Sequence, residues 1–96
     1  MQKKKNYNYI FVFYDVNEKR VAKVFKICKK YLTHHQKSVF RGEITTAKLI
    51  KLESELKNII YEEEDFVTFI NLLGDYVFDE VTLGTNPKQP DGDLFI

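Results

Sequence analysis

Two stretches of the chain are apolar at both alternating sets of positions. In Tyr9-Ile10-Phe11-Val12-Phe13-Tyr14-Asp15-Val16, six strand-forming residues run unbroken into one carboxylate. Tyr9, Phe11 and Phe13 fall on one pleat face, and Ile10, Val12 and Tyr14 on the other. Phe66 to Leu73 repeats the pattern, broken only by Thr68 and Asn71. Strands with two greasy faces belong inside a sheet that is covered on both sides. Between them the period changes. Val21, Val24, Phe25, Cys28 and Leu32 recur at helical spacing, Ile27 and Tyr31 widen the stripe, and Lys19, Lys23, Lys26, Lys29 and Lys30 fill the opposite side. Asn17 is a good N-cap for this helix, and the acid of Glu18 suits the positive end of its dipole. A second helix buries Leu49, Leu52, Leu56, Ile59 and Ile60, capped by Thr45 or Thr46.

The intervening segments read as follows. Thr33-His34-His35 closes the first helix, Gln36 to Arg41 forms a second strand, and Gly42 marks a bend or a turn into Glu43-Ile44. Lys51 and Glu55 stand as an i,i+4 pair in the less favourable order. Glu62-Glu63-Glu64-Asp65 reads as a solvated loop, because acids without fixed geometry rarely make a metal site. Gly74-Asp75 is a turn, and Tyr76 to Leu83 a strand with Asp79, Glu80 and Thr82 wet. Residues 84–93 offer nothing to bury, whereas Leu94-Phe95-Ile96 is apolar and expected to dock as an edge strand, at home or on a neighbour. This divides the chain into a domain at 1–83 and a linker with a C-terminal strand at 84–96.

The order of elements fits an α+β, ferredoxin-like plan: a split βαβ antiparallel sheet with two helices on one face. Two helices cover one face of such a sheet, yet the strands at 9–14 and 66–73 are apolar on both. At about 25 cal/mol per Å², leaving those aromatic side chains wet forfeits many kcal/mol. A partner should cover the second face, and the simplest is another copy packed about a two-fold axis.

Composition narrows the class. The apolar and aromatic content is ample for a packed core, which argues against disorder. No apolar run is long enough to span a bilayer, Lys3 to Lys5 do not begin a signal peptide, and a single Cys28 suits a reducing cytoplasm. The net charge of +1 hides a split: residues 1–41 carry 11 Lys/Arg against Asp15 and Glu18, and residues 42–96 carry 4 Lys against 12 Asp/Glu. One surface is therefore suited to a polyanion, unless the charges mix once the chain folds. His34 and His35 have no Cys/His partners at zinc-ligand spacing, and neighbours in a strand point apart.

Asp15 is the candidate for chemistry, at the carboxyl end of a central strand. A hard cation such as Mg²⁺ takes one or two carboxylates plus water and phosphate oxygens, and a two-fold axis near the strand end would supply Asp15 twice. A divalent ion there could polarise a phosphodiester. Arg20, about one turn into the first helix, could hold a phosphate. The plainer alternative makes Asp15 a helix-capping acid and Arg20 a surface cation.

Tyr14-Asp15-Val16, Arg20-Val21-Ala22-Lys23-Val24 and Gln36-Lys37-Ser38-Val39-Phe40-Arg41-Gly42, in this order and spacing, resemble the small CRISPR-associated adaptation proteins of the Cas-two family. The resemblance covers essentially the whole chain. It implies a ferredoxin-like homodimer whose last strand crosses to the partner, and a metal-dependent endoribonuclease or DNase. It further implies Asp15 as ligand of Mg²⁺ (or Mn²⁺), Arg20 as phosphate contact, and Tyr14, Ser38 and Phe40 as shaping the site. Lys19, Lys23, Lys26, Lys30, Lys37 and Arg41 are the expected nucleic-acid contacts. Family members also bridge dimers of the Cas-one CRISPR integrase during spacer acquisition, with duplex DNA as cargo. Competing readings are a non-catalytic nucleic-acid scaffold, a VapD-type toxin ribonuclease, and a ferredoxin-like regulator with a small ligand.

Overall fold

The computed structural model describes residues 7–72 and 78–84. Their order is β1 (Tyr7–Asp15), α1 (Glu18–Tyr31), β2 (Thr33–Gln36), β3 (Val39–Thr45), α2 (Thr46–Ile59), β4 (Phe66–Leu72) and β5 (Phe78–Gly84). The five strands form one sheet in the order β2-β3-β1-β4-β5, with every neighbouring pair antiparallel. The first four strands and two helices are the expected ferredoxin-like α+β arrangement, and β5 extends it beyond β4. The Gly74-Asp75 turn, the Lys3 to Lys5 run and the segment 85–96, including the expected terminal strand, lie outside the described residues.

β1 is the centre of this sheet because its two apolar faces can be used there. Ile10, Val12 and Tyr14 are buried against the helices, in a core with Phe40 and Ile44 of β3, Val67 and Phe69 of β4, Val24 and Cys28 of α1, and Leu52 and Leu56 of α2. The register puts Val12 between Phe40 and Phe69, so the three middle strands present one apolar surface to the helix layer. Tyr9, Phe11 and Phe13 point the other way and are half-buried. Their rings form a ladder, with centroids 5.8 Å apart for Tyr9–Phe11 and 6.3 Å for Phe11–Phe13. Ile70 and Phe66 of β4 share that second face by register.

Both helix starts follow the sequence. The Asn17 side chain accepts from the Lys19 amide, and the Thr45 hydroxyl from that of Lys48. The helices are tied to each other as well, since Lys30 Nζ sits 2.6 Å from Glu55 Oε1 and the Tyr31 hydroxyl donates to the same carboxylate. Glu55 therefore serves a contact between helices rather than only the expected Lys51 pair along its own helix.

Three local expectations are corrected. α1 stops at Tyr31, and residues 33–36 are β2 rather than its end. The Leu32 backbone is already extended, and its N–H returns to the Cys28 carbonyl at 2.9 Å, leaving Thr33 free to enter the ladder. Pairing won over the helical pattern, helped by the His34 ring against Phe25 and Phe40 at 4.9 and 5.0 Å. The hairpin then turns through Lys37, at φ 43°. Gly42 does not turn the chain out of β3; it lies opposite Ile10 inside the strand, at a φ of 150° open to glycine. Val21, expected on the buried stripe, is 40% exposed, because only Val24 and Cys28 of α1 reach the core fully.

Gly84 ends β5 at φ +87°, and a Cβ there would lie 2.1 Å from the Asp65 carbonyl oxygen. Backbone on backbone cannot yield as a flexible side chain would. Gly84→Ala is expected to lower stability by about 2–3 kcal/mol, read as a lower urea midpoint at unchanged slope.

Candidate functional site

Asp15 closes β1, opposite Phe66 at the start of β4, and is exposed. Alternation along the strand puts it on the ring-ladder face, after Phe13. Tyr14 takes the other side. It is 5% exposed, stacks on Phe40 at 6.2 Å, and has its hydroxyl pushed up to about 12 by burial, with a smaller contribution from Cys28. Tyr14 and Phe40 thus hold the strand end from beneath, in the core, rather than standing beside Asp15. Ser38 joins them through its carbonyl oxygen, which accepts from the Tyr14 amide at 3.1 Å.

The strongest polar cluster lies immediately after Asp15. Asp65 has no exposed surface. Its carboxylate accepts from the Asn17 amide at 2.8 Å, the Tyr61 amide at 2.8 Å, and Arg20 Nε and Nη2 at 2.6 and 3.3 Å. Glu64, exposed beside it, accepts from Arg20 Nη2 at 2.6 Å and from Asn17 Nδ2 at 3.2 Å. The Arg20 guanidinium also lies over the Tyr61 ring, 5.5 Å from its centroid. Burial by itself would raise the Asp65 carboxyl; the Arg20, Tyr61 and Asn17 donors outweigh it and hold it below the ordinary carboxylate value. Arg20 is held above its own ordinary value, chiefly by the bond to Asp65.

The acid run is therefore not a uniformly solvated loop. Glu62, Glu63 and Glu64 are exposed as expected, whereas Asp65 is interior. Its position carried the signal: an acid directly before a strand apolar on both faces has nowhere wet to go, and Arg20 was the cation available to meet it. Asn17 was read only as a helix cap and Tyr61 was missed, since each meets Asp65 through a backbone N–H that no side-chain pattern announces.

The expected nucleic-acid contacts divide between surfaces. Lys19, Lys23, Lys26 and Lys30 recur every three or four residues along the exposed side of α1, Lys30 being the one paired with Glu55. Lys37 sits at the hairpin turn. Arg41 lies on the ring-ladder face, donating to the Tyr9 hydroxyl at 2.8 Å and to His35 Nδ1 at 3.2 Å. Among the described residues no three His, Cys, Asp or Glu side chains gather into a group that could hold a metal, and no helix is long and apolar enough to cross a membrane.

The Asp65 carboxyl gives a pH dependence with a fixed sign. Its value in the folded chain lies below that in the unfolded chain, so its stabilisation is complete above the unfolded value and is lost as pH falls through the folded one. Wild type should exceed Asp65→Asn in urea midpoint at pH 7, with the gap shrinking as the pH is taken down through the acid range.

Known proteins place this arrangement. A family model described as CRISPR associated protein Cas2 matches residues 8–80. A protein of Thermotoga maritima named CRISPR-associated endoribonuclease Cas2 is 46% identical over 87 residues, 91% of this chain and 99% of its own length. A protein of Thermodesulfovibrio yellowstonii with the same name and the numeral 3 is 46% identical over 86 residues, 90% of this chain and 97% of its own. A crystal structure described as cas2 superposes with a TM-score of 0.67 at 39% identity, covering 85% of this chain and 92% of that one. Streptococcus pyogenes Cas2 at pH 6.5 superposes at 0.62 with 36% identity, covering 69% of this chain and 86% of that one. With a family match over most of its length and relatives this similar across nearly their whole chains, the protein belongs to the Cas2 family of CRISPR-associated proteins.

Proposed function

We propose that this chain acts in CRISPR spacer acquisition as a two-fold homodimer that cleaves phosphodiester bonds of RNA or DNA with the help of Mg²⁺ or Mn²⁺. The observation that carries the proposal is Asp15: an exposed carboxylate at the end of the central strand, in a chain whose relatives are named endoribonucleases. The second face of β1 supports the dimer. Tyr9, Phe11 and Phe13 are half-buried there, and a second copy would complete their burial and bring two Asp15 carboxylates towards one axis.

One chain offers a cation at this point a terminal carboxylate, and two chains offer a pair. That donor set fits a hard divalent ion completed by water and phosphate oxygens. Bound there, such an ion would supply Lewis-acid polarisation of the phosphoryl group and a lowered pKa for bound water. The chain's own residues do the rest. Asp15 would hold the ion. Arg20 would contact the phosphodiester by exchanging its exposed Glu64 partner for a phosphate oxygen, since an exposed ion pair contributes only about 0–1 kcal/mol and yields readily. The buried Asp65 would keep the guanidinium aimed during that exchange. The lysine row of α1 would draw the polyanion in, and Tyr14, Ser38 and Phe40 would fix the strand end.

The Cas-one CRISPR integrase is the protein partner that belongs with this role, in the cytoplasm. The family assignment favours it over the VapD-type toxin and the small-ligand regulator. A non-catalytic scaffold is the second reading, favoured by a cationic row that can hold duplex DNA whether or not Asp15 cuts.

Asp15→Asn should abolish metal-dependent cleavage of labelled RNA or DNA with the dimer intact by light scattering; undiminished cleavage would remove Asp15 from the site. If wild type binds duplex DNA but cleaves nothing, the scaffold reading stands. Affinity should fall steeply with salt, and Lys23→Ala with Lys26→Ala should flatten that slope by about 2. A slope near zero in wild type would dismiss the lysine row.

A further inference from the structure

The chain is held at Asp15 and just beyond it by two consecutive residues. Phe66 pairs with Asp15 itself in the β1–β4 ladder, and Asp65 receives the Asn17 amide two residues later. Asn17 is fixed at every polar group it has. Its N–H goes to Asp65, its Oδ1 accepts from the Lys19 amide, its Nδ2 donates to Glu64, and its carbonyl oxygen accepts from the Arg20 amide at 2.8 Å. Only Val16 stands between this pinned residue and Asp15. The same carboxylate grips Arg20 through Nε and Nη2. Behind it, the Asp65 backbone is closed in by Gly84, where even a Cβ would collide. The carboxylate thus rests on a backbone with no room to retreat, and it is aimed at the turn that leaves the strand.

We infer that Asp65 is a positioning residue for the site: through the Asn17 amide and the Arg20 guanidinium, its buried carboxylate fixes the turn that presents Asp15 and orients the cation next to it. This rests on the phosphodiester-cleavage reading above. Asp65 itself has no exposed surface with which to meet nucleic acid or metal directly. Its action is geometric: a nucleophile, a cation and a phosphate held out of line by about an ångström lose of the order of a hundredfold in rate. A residue of purely structural value would lower the folded fraction without disturbing Val16 to Arg20 in particular.

The test compares the full-length wild type, Asp15→Asn, Asp65→Asn and Glu55→Gln. The last breaks the Lys30–Tyr31–Glu55 contact between the helices and serves as a control for general loosening. Amide hydrogen exchange is read residue by residue, and cleavage is read as kcat and KM with Mg²⁺. In Asp65→Asn, exchange from Val16 to Arg20 should accelerate at least about tenfold more than in Glu55→Gln. Its kcat should fall about tenfold to a hundredfold with KM changed far less. Asp15→Asn should lose cleavage, with exchange from Val16 to Arg20 raised less than in Asp65→Asn. If exchange in Asp65→Asn rises no more than in the control, or kcat falls only in proportion to the folded fraction, the inference is overturned. If wild type does not cleave, or Asp15→Asn cleaves as well as wild type, the cleavage reading fails; the exchange comparison then decides by itself whether Asp65 fixes the turn. Should Asp65→Asn not fold, Arg20→Gln releases the same clamp from its other end and is judged by exchange alone.

Discussion

A carboxylate without exposed surface is an expensive thing to place in a small domain, and Asp65 is tolerable only because four N–H groups converge on it. Those donors come from three places: the turn before α1, the first turn of α1, and Tyr61, two residues past the end of α2. None can shift alone without leaving a buried charge short of a partner. One side chain thereby fixes the entry to the first helix, the exit from the second and the start of β4. The ladder carries that constraint to Asp15, since Phe66 begins β4 opposite it.

The two faces of β1 have different fates. Ile10, Val12 and Tyr14 complete the core, and the helix layer satisfies them within one chain. Tyr9, Phe11 and Phe13 stack on one another as a half-buried ladder with Arg41 beside them. The charges are arranged to match, since the α1 lysines lie across the helix layer from this ladder. The exposed lysines of α1 and the ring ladder with Arg41 and Asp15 thus occupy opposite sides of the sheet.

Much of this was legible in the residues. The central strand, the two capped helices, and the strand beginning at Phe66 followed from alternation, helical spacing and capping chemistry at Asn17 and Thr45. The hairpin of β2 and β3 was only half legible. Thr33 to Gln36 is polar throughout and exposed, so it has no periodic signature, and its strand character comes from pairing with β3. Asp65 was legible only from its place directly before β4, because the other acids of the run are true surface residues. A local charge run averages over four residues, whereas burial distinguishes the one that abuts β4, whose first five residues are buried. Arg20 was recognised as the cation of the site, but its partners come from sequence positions 44 and 45 residues away, a distance that no spacing rule spans.

The chain carries one cysteine, and it is silent. Cys28 is fully buried under the sheet, and burial pushes its thiol up to about 12, so it is neither ionised nor accessible in the native protein. A thiol reagent can meet it only when α1 lifts from the sheet. The wild-type sequence thus contains its own clock for opening of the helix layer, reporting by the rate of covalent capture rather than by any optical probe. The same silence leaves the surface without an accessible thiol, so a cysteine introduced elsewhere would be the sole reactive one on a molecule otherwise unaltered.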